Sequence, residues 1–318
     1  MAICLNCNRK SETVGQLCSC GTCYMVHDEH GMEPLNLLGK LIANKIIPTA
    51  VVSVDKSTIS YEAFQPAIDR VVGLSILKPE YSANPDIRVA FLDLVDRCAG
   101  LKQQNTPTLL EVLELPSEGV LAITSEVFKG EKLSDYMRNN PLDPVGLMHI
   151  VHQILQAVAA MHRKNVLFPH LGMDNIRIMR LGGDSAFVTV RGFVESNITW
   201  LGDLNTQATD VFYIGQLVLS LICGKPVVNA NHIELPPERA YLMPIAQIFL
   251  RAVAPVEQRY ASCIDMLEAF ETAFDLNARE AKKPVLSNQS QGNTAQRRQS
   301  PVTFEQIIWM HRPPQRQD

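Results

Sequence analysis

His162-Arg-Lys-Asn-Val-Leu-Phe-Pro-His170-Leu-Gly-Met-Asp-Asn175-Ile176 marks the point at which the periodicity of this chain changes. Just before it, Leu147 to His162 carries Ile150, Ile154, Val158 and Met161 at helical spacing. From Val166 to Val194 the pattern turns β-rich. Toward the end of the His162–Ile176 stretch sit His170, Asp174 and Asn175, side chains able to do chemistry.

The residues on the N-terminal side read as mixed and strand-rich. Ala50-Val-Val-Ser-Val54 and Val71-Val-Gly-Leu-Ser-Ile-Leu77 are short β-branched runs. A helix is expected over Ile87 to Leu101, with Val89, Leu92, Val95 and Ala99 as its apolar positions, then strands at Leu109–Leu115 and Val120–Phe128. After Gly130 the chain turns helical, with segments at Leu133–Met137, Asp210–Cys223, Leu242–Val253 and Ser262–Phe274.

In this order the segments resemble the bilobal protein-kinase fold, an α+β architecture with a β-rich N-lobe and a helical C-lobe. Arg70-Val-Val-Gly-Leu-Ser75-Ile-Leu-Lys78-Pro79-Glu80 looks like the third N-lobe strand, and Glu126-Val-Phe-Lys-Gly130-Glu-Lys-Leu133 like the hinge. His162 to Ile176 looks like the catalytic loop, and Val188-Thr-Val-Arg-Gly192-Phe193-Val194 stands where the metal-binding motif would be. Asp210-Val-Phe-Tyr-Ile-Gly215 with Gly224-Lys-Pro226 resembles the central C-lobe helix, and Ala254-Pro-Val-Glu-Gln-Arg259-Tyr260 the end of that lobe.

The resemblance also shows departures. A kinase holds its phosphates with a lysine paired to a helix glutamate, a catalytic aspartate, and metal ligands. Here Ser75 falls at the lysine position and Leu94 at the glutamate position; Lys78 with Asp93 or Asp96 is the other possible register. His170 replaces the catalytic aspartate, Gly172 the loop lysine and Gly192 the metal aspartate, while Asn175 is retained. The stretch Gly39 to Pro48 stands for the glycine-rich loop and keeps only its leading glycine. Only 15 residues separate Val194 from Asp210, so the peptide-binding segment is expected to be largely deleted. Asp210 and Arg259 are expected to stay structural, Asp210 by accepting backbone hydrogen bonds from the loop around His170, and Arg259 with a new partner. The resemblance therefore implies a degenerate bacterial-type serine/threonine kinase, a pseudokinase that is not an enzyme and for which ATP and Mg²⁺ binding is not expected.

Five of the eight cysteines lie in the first 23 residues, as Cys4-x2-Cys7 and Cys18-Ser-Cys20-Gly-Thr-Cys23. Two Cys-x2-Cys knuckles, Cys4/Cys7 and Cys20/Cys23, suit a closed tetrahedral S4 site for structural Zn²⁺. Cys18 is an alternative ligand, and His27 and His30 are weaker ones. The module resembles the zinc ribbons beside many bacterial signalling domains.

The expected organisation is a zinc-ribbon-like module at 1–31, an N-lobe at 35–128, a C-lobe at 129–276, a disordered linker at 277–300 and a docking motif at 301–318. The linker is Gln-, Asn-, Ser- and Arg-rich. The motif carries Phe304, Ile307, Ile308 and Trp309, which can dock on a partner or back on the chain itself.

Composition is globular, with 46% hydrophobic and 19% charged residues, and the net charge of -4 argues against a nucleic-acid binder. No run reaches the roughly 20 apolar residues of a membrane span, and Met1-Ala-Ile-Cys4 opens no secretory signal. A cytoplasmic location is expected, without excluding export by a non-classical route. The leading function is a kinase-like scaffold docking other proteins in a larger assembly. The alternatives are an unorthodox phosphoryl or nucleotidyl transferase using His170 and Asn175, and a zinc-dependent nucleic-acid module.

Overall fold

The computed structural model describes residues 1–28, 34–115, 119–140, 144–182, 185–201, 205–227, 235 and 237–282. The chain divides into two compact units. The first holds Met1–Gly130, Arg163–His170 and Thr189–Asn205; the second holds Glu131–His162, Leu171–Val188 and the residues from Thr206 onward.

In the first unit, β1 (Ala2–Ile3), β2 (Lys10–Ser11) and β3 (Val26–His27) form a small antiparallel sheet in the order β2-β1-β3. Next come β4 (Ile47–Val54), β5 (Thr58–Gln65), β6 (Arg70–Leu77), the one-turn α1 (Pro79–Ser82), α2 (Pro85–Ala99), β7 (Leu109–Leu115) and β8 (Val120–Ser125). The five strands pair antiparallel in the order β4-β5-β6-β8-β7. Strand alternation sorts their side chains. Tyr61, Leu74 and Ile76 point into one buried core, and Ser60 and Ser75, opposite each other in register, point away from it.

Helix α2 starts where Asn84 accepts hydrogen bonds from the amides of Asp86 (2.9 Å) and Ile87 (3.3 Å), with Pro85 in the first turn. Its buried face is Phe91, Leu94, Val95 and Cys98. Of the positions expected from the sequence, Val89 and Leu92 are exposed. Both stripes have helical spacing, and the larger Phe91 and Leu94 take the core. The turn between β4 and β5 is Asp55 to Ser57, closed by the Asp55 amide on the Thr58 carbonyl (2.9 Å). This hairpin, and not Gly39–Pro48, therefore occupies the place of the glycine-rich loop, and its turn contains no glycine. The earlier stretch folds on itself through Ile42 and Ile46.

The chain then enters the second unit with β9 (Glu131–Lys132), α3 (Leu133–Asn139), α4 (Pro144–Arg163), β10 (Ile176–Gly182) and β11 (Ser185–Val190), the strands pairing in the order β11-β10-β9. A short helix, α5 (Phe193–Thr199), belongs to the first unit. The second unit is completed by α6 (Gln207–Cys223), α7 (Met243–Ala252) and α8 (Cys263–Lys282). Thr206 caps α6, accepting from the Thr209 amide (3.3 Å). The last carbonyls of α6, on Leu221 and Ile222, accept from the Arg239 guanidinium (2.9 and 2.8 Å). Gly215 lets α6 and α7 approach closely, since a Cβ there would lie 2.7 Å from that of Ala252. Helix α8 runs on into the segment expected to begin a linker at 277. Phe304, Ile307, Ile308 and Trp309, like His30, lie outside the described residues.

Candidate functional site

The elements around Ser75 are built by the first unit alone. Ser75, on β6, faces Ser60 (3.3 Å) and donates its hydroxyl hydrogen to the carboxylate of Glu195 on α5. Leu94, at the position expected for the pairing glutamate, is 2% exposed in the α2 core. The alternative acidic residue Asp93 pairs with Arg97 on the surface of α2 (3.0 Å).

Helix α5 follows Gly192, whose φ is 87°, and buries Phe193, Val194 and Ile198. Its polar residues tie down three other segments. Thr199 meets the Ser57 hydroxyl in the β4–β5 turn (2.7 Å), the Ser196 hydroxyl donates to the Pro169 carbonyl, and the Asn197 amide donates to the Leu167 carbonyl (2.6 Å). His170 is exposed, has φ 58°, and lies 4.1 Å ring to ring from Trp200. The sequence shows 194–210 only as a shortened segment, and beyond the i, i+4 pair Val194 and Ile198 nothing in it singles out α5, Glu195, Ser57, Thr199 or Trp200.

In the second unit, Asn175 accepts the Gly172 amide on its Oδ1 (3.0 Å), and Asp174 pairs with Lys132 (3.5 Å). Asp210 is fully buried and accepts from Nε2 of the equally buried His162 (3.0 Å), whose Nδ1 accepts the Cys263 amide (3.0 Å). The Cys263 amide fixes the tautomer of this buried imidazole, so that its Nε2–H faces Asp210. Arg259 donates to the Ala254 carbonyl (2.6 Å) and lies over the Phe212 ring at 4.6 Å.

At the N-terminus, the sulfurs of Cys4, Cys7, Cys18 and Cys20 all lie within 4.8 Å of one another. Cys4 and Cys20 are 3.6 Å apart, as are Cys7 and Cys18. A tetrahedral site with Zn–S bonds of 2.3 Å has S···S edges of about 3.8 Å. These four cysteines can therefore hold a metal such as zinc. The expected set contained Cys23 in place of Cys18. The turn closed by the Cys18 amide on the Cys23 carbonyl (3.0 Å) instead leaves the Cys23 thiol facing the carbonyls of Tyr24 (3.3 Å) and Gly39 (3.6 Å). The Thr22 hydroxyl and amide lower the Cys20 thiol to about 5, whereas at Cys7 the lowering by the Arg9 amide is outweighed by the Cys18, Cys4 and Cys20 thiols and by desolvation, which raise it to about 11.

The five-stranded sheet with α2, followed by the helices α3, α4 and α6 to α8, gives this chain a protein-kinase-like fold. No family model matches it. The crystal structure of the Mycobacterium tuberculosis PknI kinase domain superposes with a TM-score of 0.55 at 17% identity, over 73% of this chain and 97% of that one. Among curated proteins, serine/threonine-protein kinase PrkC of Bacillus subtilis is 23% identical, over 85% of this chain and 49% of its own length. Serine/threonine-protein kinase PkaA of Streptomyces coelicolor is 26% identical, over 54% of this chain and 37% of its own. The chain thus spans half or less of the length of these relatives. Their names correct one expectation: a chain aligned with serine/threonine-protein kinases points to an enzyme, where the altered residues had suggested that it is not one. Among the described residues no helix is long and apolar enough to cross a membrane.

Proposed function

We propose that this chain acts chiefly as a kinase-fold interaction protein within a larger assembly, and that the phosphoryl transfer to which its relatives' names point is slow in it. The relation between Ser75 and Glu195 carries this reading. Where the fold ordinarily supplies a cation for phosphate, a serine hydroxyl is engaged by a carboxylate. Phosphate oxygens approaching this place meet like charge, which disfavours binding.

Two further features support it. The β4–β5 turn offers no glycine amides to cradle phosphate, and its Ser57 is bonded to α5. Gly192 brings no carboxylate for Mg²⁺, while Asn175 already uses its Oδ1 on the Gly172 amide. The residues present do not fit Mg²⁺–ATP in the usual way. The docking part of the proposal rests on the apolar residues Phe304, Ile307, Ile308 and Trp309 after a polar stretch.

Turnover with γ-labelled ATP tests the first part. It is expected to fall well below the roughly 1–100 s⁻¹ of protein kinases, and turnover within that range overturns the reading. For the second part, full-length protein with all four tail residues changed to Ala is expected to lose a stoichiometric partner that the unchanged chain retains. Equal retention by both would remove the tail from the proposal.

A further inference from the structure

We propose that a zinc ion held by Cys4, Cys7, Cys18 and Cys20 locks the N-terminal module onto the outer face of the five-stranded sheet, so that metal occupancy controls the order of the kinase-like β unit. The sequence suggested a separate ribbon; the contacts describe a shared layer.

The two cores meet at the paired strands β1 and β3. On β1, Ala2 packs with the buried thiols of Cys4, Cys18 and Cys23, while its neighbour Ile3 packs against the core of the large sheet. Toward β3 the same alternation places Met25 with the thiols and Val26, fully buried, with Tyr61, Leu74 and Ile76. Each residue step crosses from the cysteine side to the sheet side. The core of the large sheet thus includes Val26 and Ile3 from the N-terminal module.

Polar contacts bridge the same boundary. The Tyr24 amide donates to the Gly39 carbonyl (2.8 Å), and the Gly39 amide donates to the carbonyl of Pro48 on β4 (2.9 Å). His27 meets the Glu62 carboxylate of β5 at 2.7 Å. Gly15, with φ +81°, lies so close to Phe64 of β5 that a Cβ there would stand 2.5 Å from the ring. The fifth thiol, Cys23, faces the Gly39 and Tyr24 carbonyls and so belongs to this bridge and not to the metal.

Three two-residue strands cannot order themselves. Four thiolates at the spacing found here repel one another unless a cation neutralises them, so the ion supplies the cohesion of the module. Without it, β1 and β3 lose their hold, and Tyr61, Leu74 and Ile76 lose part of their cover.

The experiment uses the full chain purified with zinc and then treated with a zinc chelator, followed by hydrogen exchange of peptides from β5 and β6. One zinc per chain is expected at the start. Chelation should speed exchange in these strands at least tenfold and leave α6 and α8 as an unchanged reference; adding zinc back should restore protection. Zinc leaving with exchange in β5 and β6 unchanged would overturn the proposal, as would absence of zinc from the purified chain. Variants check the ligand set without relying on chelation. Cys23→Ser should keep one zinc per chain and Cys18→Ser should lose it, and the reverse result would refute the assignment.

Discussion

Ser75, at the centre of β6, donates its hydroxyl to the carboxylate of Glu195, 120 residues further along the chain on α5. The contact joins two residues that no local reading of the sequence connects. By the resemblance, Ser75 stands where a kinase carries its lysine, and α5 brings a carboxylate to that place. Leu94 is buried on α2.

A double-mutant cycle at this contact is expected to show coupling. Ser75→Ala and Glu195→Gln each remove the charge-assisted hydrogen bond, and chemical denaturation should give an interaction energy of about 1–2 kcal/mol for the half-buried pair. Additive losses would show that the contact contributes nothing to the fold.

His162 and Asp210 should be a stronger determinant of the second unit. Both side chains are 0% exposed, so His162→Ala leaves a buried carboxylate without its imidazole partner. A loss of about 3–5 kcal/mol is expected in urea unfolding. His162→Gln, which keeps a donor, should recover part of it.

The α6–α7 contact has no room for a side chain at Gly215. Gly215→Val meets Ala252 and Val253 and should cost about 1–3 kcal/mol of overpacking. Pairing it with Val253→Ala should return part of that loss, as measured by the unfolding midpoint.

Burial pushes the Cys98 thiol up to about 12. At pH 8 its thiolate is then about a thousandfold scarcer than that of an ordinary thiol, so Cys98 should resist alkylation in the native chain and react on unfolding. The sign for stability follows. The unfolded chain gives up this proton near 9.0 and the native chain only near 12, so native stability is full below the lower value and declines as pH rises between them. Site-resolved mass spectrometry after alkylation, and unfolding between pH 8 and 11, check both.

Much of the fold was legible because period and order survive substitution. The stripe on α4 and the β-branched run of β6 state their structure locally, and the spacing from Ser75 to Arg259 carries the kinase-like order. Legibility failed where tertiary packing chose between equal local options. Helix α2 has two apolar stripes, and only its packing against β7 and α5 determines that Phe91 and Leu94 turn inward. Helix α5 is seven residues long and rich in β-branched side chains, so its stability comes from the segments it touches, which no local window contains. Among Cys18, Cys20 and Cys23, spacing favoured the x2 knuckle, whereas the turn that pairs Cys18 with Cys23 through the backbone sends the Cys23 thiol toward Gly39.

Thermal unfolding of the full chain with and without Mg²⁺–ATP reports whether Ser75 and Glu195 leave a working phosphate site. At about 1 mM nucleotide, a dissociation constant of 1 mM or weaker stabilises by no more than about 0.4 kcal/mol, which corresponds to a shift of roughly 1 °C or less. A shift of that size or none is expected with Glu195 facing the site. A rise of several degrees, dependent on Mg²⁺, would contradict it.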